Sequence, residues 1–127
     1  MSIEKVLVAD DEPLSREFLA ESLEQRGCEV AIAADGSEAL SKFSEADFDL
    51  VMTDLRMPGV DGLALLGRIK TTAPSVPVVL ITAYGDVETA VSAMRSGAED
   101  FLLKPFSPET LEAVISRLES KDRKSVV

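Results

Sequence analysis

The sequence contains no histidine, no tryptophan and a single cysteine among its 127 residues. The lack of histidine excludes catalytic triads that use histidine, common zinc sites and any role as a histidine phosphodonor. Because one cysteine cannot form an internal disulfide, Cys28 is expected to be a small buried residue in a reducing cytosol. No apolar run approaches membrane-spanning length, and no signal-peptide pattern is present. These absences predict a cytoplasmic protein that makes no contact with membranes.

Positive charge is also scarce, with 13 basic against 23 acidic residues, a net charge of −10 and a pI near 4.4. A surface that acidic repels phosphate backbones, so direct nucleic-acid binding is not expected. The length and the 46% hydrophobic content suit a single globular domain with a substantial core.

Short apolar runs alternate with amphipathic segments along the chain. The runs predict five buried strands, at residues 5–10, 30–33, 50–52, 78–81 and 101–103. Between them, apolar residues at helical spacing predict one buried stripe per helix. The stripes include Leu14, Phe18, Leu19 and Leu23; Ala39, Leu40 and Phe43; Leu63, Leu66 and Ile69; Val87, Ala90, Val91 and Met94; and Leu111, Val114, Ile115 and Leu118. This alternation predicts an α/β fold, with helices on both faces of a parallel sheet.

Helix starts and ends are marked by capping residues. Asp35 or Ser37, Asp86 and Ser107 are candidate N-caps, and Gly27 is a candidate C-terminal cap.

Four of the predicted strands end in chemically reactive side chains. These are Asp10 and Asp11, then Asp54, Thr82 and Lys104. Each residue alone is more often a turn former, a helix cap or a solvated charge. Because parallel strands place their carboxyl ends on one edge of the sheet, the groups are expected to converge there. The coincidence across four strands favours a functional site.

The ligands in this cluster are all oxygen atoms, which selects a hard cation such as Mg²⁺. Mg²⁺ takes only one or two protein carboxylates and leaves room for a phosphoryl oxygen. An aspartate can be the nucleophile that forms an acyl phosphate, and we assign that role to Asp54. The metal and Lys104 would neutralise charge on the transferring group, and the Thr82 hydroxyl would bond a phosphoryl oxygen.

These residues stand in segments that resemble the receiver domain of bacterial two-component response regulators over about residues 4–120. The matching segments are Val-Ala-Asp-Asp-Glu at 8–12, Thr-Asp-Leu-Arg-Met-Pro-Gly-Val-Asp-Gly at 53–62, Ile-Thr-Ala-Tyr at 81–84 and Lys-Pro-Phe at 104–106. The resemblance implies a flavodoxin-like, doubly wound fold of five β–α units. Its five-stranded parallel sheet would have the order 2-1-3-4-5.

The resemblance also implies a set of residue roles. Asp54 would be the phosphoacceptor and, with Asp11 and the Arg56 backbone carbonyl, a direct Mg²⁺ ligand. Asp10 would act through water, and the Lys104–Pro105 peptide bond would be cis.

Further roles implied by the resemblance concern signalling. Thr82 and Phe101 would be switch residues that change the face made by the helix after Asp86, the last strand and the final helix. Arg56 and Tyr84 flank the expected path of the attacking water, and we expect their bulk to slow hydrolysis of the acyl phosphate.

Residues 82–86 and 91–106 look most like receivers of nitrogen-regulator-type (NtrC-family) transcriptional activators. That likeness implies a sensor histidine kinase as partner, attached ATPase and DNA-binding effector domains, and a homodimer as a further assembly. Residues 1–120 would form the receiver, and residues 121–127 a tail or the start of a linker. An excised receiver is favoured over a stand-alone one, because the tail ends within an apparent linker.

Three alternative functions fit the residues less well. An aspartyl phosphatase needs a second acid two residues after its nucleophile, where this chain has Arg56, so no turnover of an external substrate is expected. A flavin- or nucleotide-binding domain needs a Ser/Thr/Gly-rich phosphate loop, where this chain has residues 10–12, all acidic. A non-phosphorylated interaction module would lack some of Asp11, Asp54, Thr82 and Lys104, and this chain has all four.

Overall fold

The structure, a computed structural model, describes the backbone of residues 2–124 and the side chains of residues 2–120 other than Tyr84. Strands and helices alternate along the described chain. Their bounds are β1 Lys5–Ala9, α1 Pro13–Gln25, β2 Glu29–Ala33, α2 Gly36–Glu45, β3 Leu50–Asp54, α3 Gly62–Thr72, β4 Val78–Thr82, α4 Val87–Arg95, β5 Asp100–Leu103 and α5 Pro108–Lys124. A short 3₁₀ helix, Tyr84–Asp86, precedes α4.

The strands form one parallel sheet in the order β2-β1-β3-β4-β5, which confirms the predicted fold. The chain runs outward from β1 to β2 and then returns to β3 on the other side of β1. The order therefore reverses between β1 and β3, and open α/β sheets bind their ligands at the carboxyl ends of such neighbouring strands. Asp54, the last residue of β3, pairs in register with Ile81 of β4.

Alternate residues of the central strands face two separate cores. Val8 and Met52 face the core formed with α1 and α5, whereas Leu7 and Val51 face the core formed with α2, α3 and α4. Residues buried on both faces explain why β3 and β4 appear in the sequence as continuous apolar runs. The site therefore sits on a rigid support.

Some predicted core positions are exposed instead. Leu14 is 80% exposed and Val91 is 48% exposed, and Phe18 and Leu63 are also exposed. The helix α1 buries Leu19 and Leu23. Leu14 lies five residues before Leu19, which at about 3.6 residues per turn rotates it roughly 140° away from that stripe. The predicted stripes included apolar residues that are not buried, because apolar character alone does not show which side of a helix packs against the sheet.

The capping predictions gave a mixed result. Asp35 rather than Ser37 caps α2 by accepting a hydrogen bond from the Glu38 amide, and Ser107 accepts one from the Thr110 amide. Asp86 is the N-cap residue of α4, as predicted, but its side chain makes no capping hydrogen bond.

Two further predictions concern the chain ends and Cys28. Cys28 is buried, as expected, and its thiol donates to the Ile3 carbonyl. The helix α5 continues to Lys124, past the proposed boundary at residue 120, and residues 125–127 of the predicted tail lie outside the described residues. Within the described residues, no helix combines the length and the apolar character needed to cross a bilayer.

Candidate functional site

The carboxyl edge of the sheet brings three aspartates together. Asp10 and Asp11 directly follow β1, and Asp54 is the last residue of β3. One carboxylate oxygen from each residue lies within 4.8 Å of those of the other two. Asp10 is fully buried, Asp54 is 9% exposed and Asp11 is open to solvent. The predicted acidic cluster is therefore present in the fold, with one of its members facing outward.

Lys104, immediately after β5, extends its ammonium group into this cluster. Its Nζ atom lies 3.0 Å from Oδ2 of Asp54, 3.2 Å from Oδ2 of Asp10 and 3.5 Å from Oε1 of Glu12. The Lys104 amide donates to the Thr82 carbonyl, which ties the start of this loop to β4. The peptide bond from Lys104 to Pro105 is cis, so that prediction is confirmed.

Burial and neighbouring charge shift the protonation equilibria of the pair. Desolvation raises the pKa of Asp54, and the hydrogen bond from Lys104 opposes this while the negative charge of Asp10 adds to it. Burial acts to lower the pKa of Lys104, but its hydrogen bond to Asp54 and the charges of Asp54 and Asp10 raise it overall. The lysine therefore stays charged at neutral pH, where it offsets part of the repulsion among the carboxylates.

Asp10 has one carboxylate oxygen that is buried but accepts no hydrogen bond within the described part of the chain. Its Oδ1 accepts a hydrogen bond from the Glu12 amide at 2.9 Å. Its Oδ2 is buried and has no hydrogen-bond partner among the described residues, although the ammonium of Lys104 is in ionic contact. Buried polar atoms are normally hydrogen-bonded, and those that are not often face water or an ion. An all-oxygen donor set with an unpartnered buried oxygen fits a hydrated Mg²⁺ ion.

The two predicted switch residues lie on neighbouring strands. Thr82 ends β4 and is fully buried, and its hydroxyl donates to the Ala83 carbonyl at 3.2 Å. Phe101 is half-buried in β5 and packs against the core shared with α2, α3 and α4. Phe101 is thus separate from the carboxylate cluster, on the sheet face that α4 covers.

Arg56 takes part in a contact that the sequence analysis missed. Its backbone amide donates to Oδ1 of Asp54 at 3.3 Å. Its guanidinium group holds the Asp86 carboxylate, with Nε at 3.0 Å from both oxygens and Nη2 at 2.7 Å from Oδ1. The sequence signal for this ion pair was the presence of opposite charges in the loops that follow two adjacent strands. The side chain of Tyr84, the other predicted lifetime residue, lies outside the described residues.

Gly62 is a second residue whose role the sequence analysis missed. A Cβ atom added there would lie 2.2 Å from the Asp54 carbonyl oxygen and 2.8 Å from the Leu55 Cα. Only glycine allows α3 to begin this close to the end of β3. The sequence analysis placed Gly62 only at the end of the matching segment 53–62, with no role of its own.

Comparison with known proteins agrees with this geometry. The family model described as the response regulator receiver domain matches residues 6–116. The chain belongs to this family. Receiver domains are signalling domains, and the match includes all four strand ends that carry the clustered side chains.

The receiver domain is similar to about a quarter of the length of several transcriptional regulators. It is 44% identical over 111 residues to the transcriptional regulatory protein ZraR of Klebsiella oxytoca, which covers 87% of this chain and 25% of ZraR. It is 41% identical over 119 residues to the C4-dicarboxylate transport transcriptional regulatory protein DctD of Rhizobium meliloti, which covers 93% of this chain and 26% of DctD. The chain thus spans about a quarter of the length of these relatives.

Solved structures show the same arrangement of the chain. The receiver domain of NtrX from Brucella abortus is 43% identical with a TM-score of 0.85, and covers 88% of this chain and 95% of that one. A receiver domain protein from Clostridium thermocellum is 34% identical with a TM-score of 0.87, and covers 98% of both chains. The likeness to receivers of NtrC-type activators, expected from residues 82–86 and 91–106, is confirmed.

Proposed function

We propose that this receiver domain is a switch in which Asp54 accepts a phosphoryl group from the phosphohistidine of a sensor histidine kinase. A carboxylate oxygen of Asp54 forms a bond to phosphorus while the bond from phosphorus to the donor nitrogen breaks. The donor keeps that electron pair, and the product is an acyl phosphate on Asp54. The observation that carries the proposal is the contact of the Lys104 ammonium with both Asp54 and Asp10, inside a cluster of three carboxylates.

The carboxylates would hold Mg²⁺. Asp11 and Asp54, with the Arg56 backbone carbonyl, would be direct ligands, and Asp10 would bind through water. The exposed position of Asp11 leaves room for a hydrated ion, and the unpartnered buried oxygen of Asp10 can accept from a bound water. When bound, the metal supplies positive charge that stabilises the transferring group.

Lys104 is the second source of positive charge. Its contact with Asp54 places the ammonium where it can bind an oxygen of the phosphoryl group that Asp54 accepts. The Thr82 hydroxyl, which now donates to a neighbouring carbonyl, would exchange that bond for one to the phosphoryl oxygen. Arg56 and Tyr84 would slow the later hydrolysis of the acyl phosphate. The domain would thus assist its own phosphorylation and the slow loss of its own phosphoryl group, and would not turn over an external substrate.

Phosphorylation would be transmitted to the face formed by α4, β5 and α5. Thr82, at the end of β4, and Phe101, in the adjacent strand β5, connect the site to that face. Inward rotation of the half-buried Phe101 ring would fill the space that Thr82 leaves as it moves. The face would then control an effector or a second copy of the chain, and light scattering with and without a beryllium fluoride phosphate mimic would detect such a dimer.

The longer protein would be a cytoplasmic transcription regulator. Relatives of which this chain covers about a quarter are named as transcriptional regulators, which leaves room for effector domains. We infer that an ATPase domain and a DNA-binding domain follow residues 121–127, in which α5 would lead into a linker. The receiver itself, with its net charge of −10, would not contact nucleic acid directly.

Acetyl phosphate tests the central step without the cognate kinase. With Mg²⁺ present, intact-protein mass spectrometry should show one added phosphoryl group on the wild type and none on Asp54→Asn, which keeps the shape of the side chain but removes its nucleophilic charge. Chelation of the metal should prevent labelling of the wild type. Equal labelling of Asp54→Asn, or none of the wild type, would refute the proposal.

A further inference from the structure

A bidentate ion pair joins the two loops that flank Asp54. Arg56 lies in the loop after β3, and Asp86 lies at the end of the 3₁₀ helix after β4. Both guanidinium nitrogens that take part lie within 3.0 Å of the Asp86 carboxylate. The Arg56 side chain is 73% exposed, whereas that of Asp86 is 18% exposed. The aspartate is therefore the more firmly placed partner and defines where the arginine lies.

Asp86 makes this contact although it occupies a position that normally serves another purpose. The N-cap aspartates of α2 and α3, Asp35 and Asp61, each accept a hydrogen bond from an amide in the first turn of their helix. Asp86 is the N-cap residue of α4 but makes no such bond. Its carboxylate is turned to Arg56 instead, so helix capping does not explain the residue.

The backbone of Arg56 shows why its side-chain position matters to the site. The Arg56 amide donates to Oδ1 of Asp54, so the arginine starts in direct contact with the phosphoacceptor. The side chain then runs to the neighbouring loop, across the gap between the ends of β3 and β4. The guanidinium group is thus held at the carboxyl edge of the sheet, where Asp54 also lies and where water must enter to reach a phosphoryl group on it.

We propose that Asp86 is a positioning residue, which holds Arg56 across this gap and so prolongs the life of the acyl phosphate. The inference rests on the proposed phosphorylation of Asp54. In the hydrolysis that it opposes, a water oxygen bonds to phosphorus, the bond from phosphorus to the Asp54 oxygen breaks, and inorganic phosphate leaves with the protons of that water. The released electron pair restores the Asp54 carboxylate.

A double-mutant cycle measures the coupling. Phosphate loss would be followed after labelling by acetyl phosphate and removal of the donor, for wild type, Asp86→Asn, Arg56→Ala and the double variant. We expect Asp86→Asn to lose phosphate about two- to fivefold faster, the range that an exposed ion pair supports. The double variant should match Arg56→Ala, because Asp86 acts only through Arg56. Asp86→Glu should restore part of the wild-type lifetime.

A matched control removes a similar ion pair far from the site. Lys5 and Glu29, which form an exposed pair at 3.0 Å, stand at the first positions of β1 and β2 and thus at the opposite edge of the sheet. Glu29→Gln should leave the phosphate lifetime unchanged. Raised salt should shorten the lifetime of the wild type, because it screens the pair, and should have little effect on Asp86→Asn.

A second readout needs no phosphate. In the unphosphorylated protein, the Nε–H resonance of Arg56 should be protected from exchange and ordered, and both properties should be lost in Asp86→Asn and retained in Glu29→Gln. Failure of the wild type to label would overturn the proposed function and this inference together. Normal labelling with equal lifetimes in wild type and Asp86→Asn, or an effect of Asp86→Asn that persists without Arg56, would overturn the inference alone.

Discussion

The Lys104 ammonium lies 3.0 Å from the Asp54 carboxylate, although the two residues are 50 positions apart in the chain. The contact exists because β3 and β5 lie on either side of β4 and end at the same edge of the sheet. The positive charge that the proposed phosphoryl transfer needs is therefore in place before a donor arrives. Such preorganisation lowers the cost of gathering charge during the reaction.

Mg²⁺ is expected to stabilise the folded domain, since a ligand that binds only the folded state shifts the equilibrium toward it. The gain in free energy of unfolding should approach about 2.7 kcal/mol when the ion is at 100 times its dissociation constant. Urea unfolding at several Mg²⁺ concentrations measures this effect. Asp11→Asn should lose most of it. Asp47→Asn, at an exposed position near the start of β3, should keep it. The same Mg²⁺ dependence in Asp11→Asn would show that Asp11 is not a ligand.

Thr82→Ala should still accept phosphate but should switch incompletely. A change from 1:99 to 99:1 requires about 5.5 kcal/mol of differential binding. One hydrogen bond to a charged group supplies about 1.5–3 kcal/mol, so Lys104 and the metal must share the task. Nuclear magnetic resonance shifts of the α4, β5 and α5 face with beryllium fluoride measure the population. Thr71→Ala, at an exposed position in α3, is the control. A complete shift in Thr82→Ala would disprove shared control.

Gly62→Ala should destabilise the domain and slow its phosphorylation. The added methyl group would meet the Asp54 carbonyl at 2.2 Å, so the end of β3 or the start of α3 must move. Overpacking of this kind costs about 1–3 kcal/mol in free energy of unfolding. Gly67→Ala is a matched control in the same helix. Outside the neighbouring backbone of the helix itself, no atom lies within 4 Å of its added carbon, so this variant should gain about 0.5–1 kcal/mol in free energy of unfolding. Equal stability of the two variants would contradict this account.

Stability at acid pH should depend on Arg26, which joins α1 to α5 by ion pairs with Glu112 and Glu119. The Arg26 hydrogen bonds lower the pKa of both carboxyl groups below the ordinary value of 4.5 in the folded state. As the pH falls, these carboxyl groups therefore bind protons in the unfolded state before they do so in the folded state. The ion pairs stabilise the folded state fully above about pH 4.5, and this stabilisation is lost as the pH falls through the lowered pKa values of the folded state.

The Arg26→Gln variant tests this pH dependence against the rest of the protein. Because Glu112 is largely exposed, solvent screening should keep the lost contribution below about 1 kcal/mol. Urea unfolding between pH 3 and pH 7 should therefore show a smaller acid-induced loss in Arg26→Gln than in wild type. The raised pKa of Asp54 contributes with the opposite sign, but it is common to both proteins and cancels in the difference. If the free energy of unfolding fell equally with pH in the two proteins, the Arg26 ion pairs would not be a source of the pH dependence.

The chain's own pattern was enough to predict a parallel α/β sheet and the cluster at its edge, whereas the strand order came from the family resemblance. Apolar runs that end at Asp10, Asp54, Thr82 and Lys104 showed both where the strands are and which groups share an edge, because parallel strands point their carboxyl ends the same way. The motifs around those residues then identified the receiver family, which the match over residues 6–116 confirms.

Packing between elements decided the remainder. Leu14 follows the helical pattern but is 80% exposed, because the sheet meets a different side of α1. Asp86 is at the N-cap position of α4, yet its carboxylate forms an ion pair with Arg56 of another loop. Gly62 matters because β3 ends against it. Local sequence determines which conformations and charges a segment offers, and only the meeting of distant segments in three dimensions selects the partners that those charges and surfaces find.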